Sequence, residues 1–310
     1  MLETVDLRKT YKTNVAVDNV NLYLDAGESV GLLGPNGAGK STTISMISTL
    51  LRPTSGDVKL DGRSVVQDPK HIRGVLGVVP QEIALYEELS ALENLQFFGR
   101  IYGLRGKALD LAVEESLELV GLSERKKERI KTYSGGMKRR INIAAALLHQ
   151  PKIVIMDEPT VGIDPQSRNY ILETVRLLNR EKRMTVLYTS HYMEEVEQLC
   201  DRVYIMDHGK VIASGRKDEL KSILSSEDTI FLQLEEPCPA LAEELRSAEG
   251  IRQVAEADQG LKLIVPKQSK LLGRLFQAAE KHGAQIVNLN VQKPSLEDVF
   301  LHLTGRKLRD

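Results

Sequence analysis

A chain of 310 residues with 42% hydrophobic content is long enough for one large domain plus a small one, or two ordinary ones. Its 42 basic and 43 acidic residues leave a formal charge of -1, so no global electrostatic drive toward nucleic acid or an anionic membrane exists. Cys200 and Cys238 have no metal-type spacing and define no disulfide framework, which suits a reducing compartment; no apolar run of roughly 18 residues is present to span a bilayer, and the opening MLETVDLRKTYK carries no signal-peptide pattern.

In chain order, the first 25 residues alternate and predict an antiparallel edge. ESVGLLG (28–34), KIVIMDEP (152–159), MTVLYTSH (184–191) and RVYIMD (202–207) predict strands. The middle runs lack period-two alternation, as expected of parallel strands buried on both faces. Helices are expected from Ser41, Ser134, Pro165 and Tyr192. Strand–helix alternation of this kind predicts an α/β sandwich with a parallel sheet core, interrupted over 82–132 by a helical insert. Composition changes near 222–228. From Thr229 the pattern reads strand 229–235, helix 239–248, strands 251–257 and 260–265, helix 268–282, strand 285–292 and helix 295–304. The first six follow the order of a ferredoxin-like α+β unit.

The stretch GPNGAGKST satisfies the P-loop pattern with Gly34, Pro35, Asn36, Gly37, Ala38, Gly39, Lys40, Ser41 and Thr42. It follows a strand and opens a helix whose Ile44, Ile47 and Leu51 fall on one face. Its glycines let successive N–H groups point at a phosphate, and the helix start adds positive potential. Lys40 is suited to the β/γ-phosphates and the Ser41 hydroxyl to Mg²⁺. IVIMDEP ends a strand with two carboxylates; Asp157 suits a Mg²⁺ site and Glu158 suits polarising the attacking water. His191 leaves the same predicted sheet edge, where ligands bind in such folds; it is either a γ-phosphate contact or a structural or exposed histidine. Gln81 has an amide suited to an ion or water at a strand end, or simply faces solvent. Tyr11 is an adenine platform or core packing. A second cradle starts at Ser134, an N-cap with bare N–H groups at Gly135 and Gly136, on a helix anchored by Ile141, Ala144, Ala145 and Leu148; the same residues also suit a capped, tightly packed helix with no ligand. If the two cradles begin helices of different lobes, they cannot embrace the same γ-phosphate within one subunit, which hints that the second serves another chain's nucleotide.

P-loop, Gln81, Ser-Gly-Gly, Asp-Glu and His191 stand in an order that resembles the nucleotide-binding subunits of ATP-binding-cassette (ABC) transporters, across roughly residues 1–220. The resemblance implies a P-loop NTPase fold over 1–222 with a helical subdomain at about 82–150. It also implies ATP and Mg²⁺ as cofactors, and a head-to-tail dimer in which Ser134, Gly135 and Gly136 complete the partner's site. It makes Tyr11 the adenine-stacking aromatic and Lys40 the phosphate lysine. Ser41, Gln81 and Asp157 become the metal contacts, Glu158 the catalytic glutamate, Asp164 the interface-crossing loop and His191 the switch histidine. Met137 departs from the family pattern, where Gln is usual, removing a side-chain amide near the partner's nucleotide; activity is expected to survive on the backbone donors. The tail KPSLEDVFLHLTGRKL, with its Ser295/Asp298 capping box and Leu296, Val299, Phe300 and Leu303 on one face, resembles the C-terminal extension of daunorubicin-resistance-type exporter ATPases, with a small domain over 228–305.

The resulting expectation is an ATPase subunit, peripheral on the cytoplasmic face of the membrane. It pairs with itself or a paralogous ATPase subunit and drives a separately encoded transmembrane permease that exports a drug, antibiotic, lipid or similar compound. No nucleic-acid partner is expected. The rival class, a soluble ABC-type ATPase acting on ribosomes or nucleic acid, usually carries two cassettes or a long coiled-coil insert; a non-catalytic scaffold fits poorly with intact Lys40, Asp157, Glu158 and His191.

Overall fold

The computed structural model describes residues 1–190, 192–223, 227–257, 260–266, 271–292 and 295–304. The apolar runs lie side by side in a six-stranded sheet, in the order Lys210–Arg216, Arg202–Asp207, Ser29–Leu33, Thr185–Thr189, Ile153–Met156, Leu76–Val79. All neighbours are parallel except the Lys210–Arg216 edge, which is antiparallel. Every residue of the three central strands is buried, because both faces are covered, with Leu32, Ile155 and Leu187 packing among Leu7, Val17, Ile47 and Val58 on one of them; that is why these runs do not alternate. Parallel strands end on one side, so Gly34, Pro80, Asp157 and Ser190 all leave the same edge of the sheet.

A second, antiparallel sheet holds Asn14–Val20, Leu2–Tyr11, Ser55–Leu60 and Arg63–Ser64 in that order, with Tyr23–Leu24 also on Leu2–Tyr11. Ser55–Leu60 escapes the sequence reading because SGDVKL carries a glycine and two charges. The P-loop helix, Lys40–Ile47, buries Ile44 and Ile47. Leu51 does not lie on it as the periodicity suggests: Thr49 adopts φ +62° and breaks the helix first. The insert comprises Ala91–Ile101, opened by a Ser90/Glu93 capping box, and Gly106–Leu119. Together with Gly135–Leu147 these helices surround their own core, including Leu95, Val113, Leu117, Ile130, Tyr133 and Ile141. The P-loop helix packs into a different core, with Leu32, Ile44, Ile47, Ile155 and Leu187. The two glycine-rich helix starts therefore belong to separate hydrophobic clusters.

The chain divides at Lys217–Asp218, ahead of the 222–228 linker suggested by composition. The short helix Lys217–Ser222 is continuous in composition with the first unit, yet most of it groups with the second. In the second unit a four-stranded antiparallel sheet runs Gln253–Ala257, Gly260–Pro266, Glu227–Leu234, Ile286–Gln292, the ferredoxin-like order. Its core joins Ile230, Leu232 and Leu263 to Leu241, Leu245 and Leu275 of the helices Pro239–Ser247 and Leu272–Lys281. The last helix, Leu296–Thr304, forms the expected capping box: Ser295 N donates to Asp298 Oδ2 at 2.8 Å and Asp298 N to Ser295 Oγ at 3.1 Å. Leu296, Val299 and Phe300 are buried.

Candidate functional site

The P-loop takes its shape from close approaches that only glycine allows. A Cβ on Gly34 would sit 2.5 Å from Met206 O, and one on Gly39, at φ +100°, 2.6 Å from Ala16 O. Gly37, at φ +79°, faces open space, leaving its backbone clear for a ligand oxygen. Lys40 is 5% exposed, and its Nζ donates to Gly34 O at 2.7 Å and Pro35 O at 3.2 Å. Burial pulls its ammonium below the ordinary lysine value, opposed by the carboxylates of Glu158 and Asp157. The cation is thus held inside the loop with the two acids in its field. Ser41 is exposed at the helix start, and Tyr11 is an exposed ring at the hairpin whose second strand passes Gly39.

The acids are positioned by a residue the sequence reading misses. Thr189 Oγ1 donates to Asp157 Oδ1 at 2.7 Å and accepts from Glu158 N at 2.9 Å. One hydroxyl at the neighbouring strand end therefore fixes both. Glu158 adopts φ +48°, a conformation that costs a non-glycine residue about 1–3 kcal/mol and persists where surroundings impose it. Gln81 Nε2 donates to Glu158 Oε2 at 2.7 Å, so P-loop, Asp157, Glu158 and Gln81 meet at one edge. His191 lies outside the described residues. Nothing in TVLYT marks Thr189, since a β-branched hydroxyl ending a strand looks like any strand residue. Thr189→Val keeps the shape and removes the hydroxyl; it should lower kcat for ATP hydrolysis about tenfold and cost about 1–3 kcal/mol of stability, read by phosphate release and thermal melting.

Glu195 is another omission. It is buried, and its carboxylate accepts from Thr160 Oγ1 (2.9 Å), Tyr188 OH (2.9 Å), Ser190 Oγ (2.5 Å) and Arg168 Nε (2.6 Å). It ties the loop after Glu158 to the strand end before residue 191. In sequence it is one of several acids in a helical EE run, indistinguishable from solvated surface.

The second cradle is built as its residues suggest. Ser134 caps Gly135–Leu147, accepting from Met137 N at 3.2 Å. Ser134 and Gly135 are exposed, and Gly136 is buried. Asp164 caps Pro165–Arg180 through Ser167 N at 2.8 Å, a bond that holds its carboxyl below the usual range. Met137 is turned into the insert's core, with Arg125 Nη1 3.3 Å from its sulfur; the departure from the family pattern puts an apolar side chain into packing, not only an amide out of reach of a nucleotide. Arg139, on the same helix, is buried; Nη1 donates to Pro80 O at 2.6 Å and Nη2 to Gln81 O.

Fold and site together define a P-loop ATPase. The profile described as "ABC transporter" matches residues 17–161, and that of "ATP-binding protein DrrA1-3-like, C-terminal domain" matches 215–304. The linearmycin resistance ATP-binding protein LnrL of Bacillus subtilis (strain 168) is 49% identical over the whole of both chains. The daunorubicin/doxorubicin resistance ATP-binding protein DrrA of Streptomyces peucetius is 38% identical over all of this chain and 94% of its own length. Among solved structures, a dimeric post-hydrolysis ATP-binding cassette bound to ADP and Pi is 28% identical, with a TM-score of 0.64 over 70% of this chain and 98% of that one. A second, the ATP-binding subunit of an ABC transporter, is 32% identical with a TM-score of 0.66, over 72% and 93%. The chain belongs to the DrrA-type ATP-binding subunits of ABC transporters and is an ATP hydrolase. Cassettes of this family dimerise. Among the described residues no helix is long and apolar enough to cross a membrane.

Proposed function

We propose that this subunit powers an exporter as a head-to-tail dimer, with each ATP held between one chain's Gly34–Thr42 loop and the other's Ser134–Gly136 start. The observation that carries the reading is the separation of the two cradles: one opens onto the edge shared by Lys40, Asp157, Glu158 and Gln81, and the other begins a helix packed in a different core. In this reading Tyr11 stacks on the adenine, backbone N–H groups of the P-loop and Lys40 hold the phosphates, and Glu158 takes the proton of the attacking water. His191 and Asp164 complete the site in the roles the family resemblance assigns. The donor set suits Mg²⁺ arriving on ATP: a hydroxyl (Ser41), an amide (Gln81) and a buried carboxylate already fixed by Thr189 (Asp157). When bound, the ion neutralises charge developing on the phosphates.

Supporting an export role, relatives are named for linearmycin and daunorubicin/doxorubicin resistance and for Nod factor export. The cargo here is then an antibiotic, drug, lipid or similar compound, passing through a separate permease at whose cytoplasmic face this chain docks. The exposed aromatics Tyr86 and Phe97, packed edge to face with ring centroids 4.9 Å apart beside the Gln81 segment, suit that contact. The 228–305 domain serves dimer stability or regulation. A ribosome- or nucleic-acid-directed role draws no support from these relatives.

The sandwich is testable by mixing two inactive variants. Ser134→Arg spoils the partner's site, and Lys40→Met spoils its own. Each alone should hydrolyse no ATP, although monomeric Ser134→Arg still binds it. A one-to-one mixture should recover activity, up to about one quarter of normal by counting intact sites. No recovery on mixing, with both variants folded, would sink the head-to-tail arrangement.

A further inference from the structure

Lys138, Arg139 and Arg140 are three consecutive cations, yet Arg139 is only 5% exposed. Its guanidinium spans the main-chain carbonyls of Pro80 and Gln81. Two further rungs leave the same helix for the same segment. Asn142 Oδ1 accepts from Ala84 N at 3.3 Å, and Lys138 Nζ meets Glu87 Oε1 at 2.5 Å. The segment they grip carries Gln81, whose amide donates to Glu158. Direct contacts therefore run without a gap from the glycine-rich helix start, through Arg139 and Gln81, to the carboxylate beside this chain's own P-loop.

A buried guanidinium is a costly way to fill space, since its desolvation is repaid only by well-aligned partners. Two carbonyls held in a fork fix both the distance and the angle between helix and segment. An apolar side chain would fill the volume but leave that angle free.

We propose that Arg139 is a positioning residue that couples the two nucleotide sites of a dimer. The helix is a rigid rod between them: its first turn meets the partner's nucleotide, and Arg139 carries the resulting displacement to Gln81 and hence to Glu158. The two states are the helix engaged and disengaged, and ATP in one site biases the carboxylate in the other. This rests on the head-to-tail reading above.

The test uses the full chain with Arg139→Met, Arg139→Lys, Gln81→Ala and the Arg139→Lys/Gln81→Ala double variant, with phosphate release measured against ATP concentration. The wild type should show a sigmoidal dependence. Arg139→Met should lose about tenfold in kcat and become hyperbolic, a loss within the range of ordinary coupling, with the ATP concentration at half-saturation changed less than twofold. Arg139→Lys, which keeps the charge and one donor toward the carbonyls, should recover part of the loss. Adding Arg139→Lys to Gln81→Ala should cost nothing further, because both act through one link. Unchanged kcat and sigmoidicity in Arg139→Met overturn the proposal. So does additivity in the double variant, which remains readable if Arg139→Met fails to fold. In the Glu158→Gln background ATP should still drive dimerisation with Arg139→Met present. If Glu158→Gln alone does not dimerise with ATP and the mixing experiment also fails, it is the head-to-tail reading that falls, and the coupling with it.

Discussion

Glu158→Gln is expected to cut steady-state ATP hydrolysis by about 10²–10⁴-fold, the usual contribution of a positioned base, while ATP binding survives. The substitution suits the site. Glu158 reaches its place through a backbone bond to Thr189 and a φ of +48°, neither of which involves the carboxylate. A glutamine carbonyl can still accept from the Gln81 amide, which now lies 2.7 Å from Glu158 Oε2. What disappears is the capacity to take a proton. With hydrolysis stopped and binding intact, ATP should convert the variant from monomer to a persistent dimer in size-exclusion chromatography. Normal turnover would remove Glu158 from the role of base. A melting temperature close to that of the wild type is expected.

The glycine pair gives the second large effect, and it divides sharply. Gly135→Ala and Gly136→Ala are each one methyl, one residue apart. Nothing lies within 4 Å of a Cβ on Gly135, whereas one on Gly136 falls inside contact distance of Ser167 Oγ and Cβ and 3.0 Å from Asp164 Oδ2. Gly136→Ala should therefore damage the fold. Overpacking of this kind costs about 1–3 kcal/mol, or a melting decrease of about 2–12 °C for a unit of this size. It should also disturb the cap of Pro165–Arg180. Gly135→Ala should melt like the wild type and still lose most ATPase activity, because its methyl would project where the partner's phosphate is proposed to sit. Equal melting temperatures for the two, or full activity in Gly135→Ala, would contradict this division. The second glycine is then required by the chain's own packing, whereas at the first the missing side chain matters only to a ligand.

Much of this was legible in the sequence because glycine, proline and carboxylate punctuation sits at element ends, where chemistry occurs in a parallel sheet. The P-loop, the Asp157–Glu158 pair and the capped start at Ser134 are local patterns. The ferredoxin-like order of the last domain is carried by alternation alone. Thr189, Arg139 and Glu195 were not legible, for a common reason. Each acts through tertiary neighbours, most of them far along the chain: Thr189 on 157 and 158, Arg139 on 80 and 81, Glu195 on 160 and 168 as well as on the nearer 188 and 190. Locally they are a strand-ending threonine, one arginine of a basic run and one acid of an amphipathic helix. Ser55–Leu60 was missed differently, because its pairing with Leu2–Tyr11 overrides a weak strand propensity.

The Glu195 carboxylate has a consequence for local unfolding. Donors from the loop after Glu158, the strand end, the Pro165–Arg180 helix and the Ser190 turn converge on one buried acceptor. None of these segments can open by itself without leaving a buried charge short of partners. They should therefore exchange their amide protons as a single cooperative block, with a shared opening free energy. The Gln81 side of the site is tied elsewhere: Arg139 and Asn142 of the Ser134-capped helix hold its first residues, and the buried Asn94 of the insert holds Tyr86. The nucleotide pocket is thus bounded by one wall that yields only as a whole and one that can move without it.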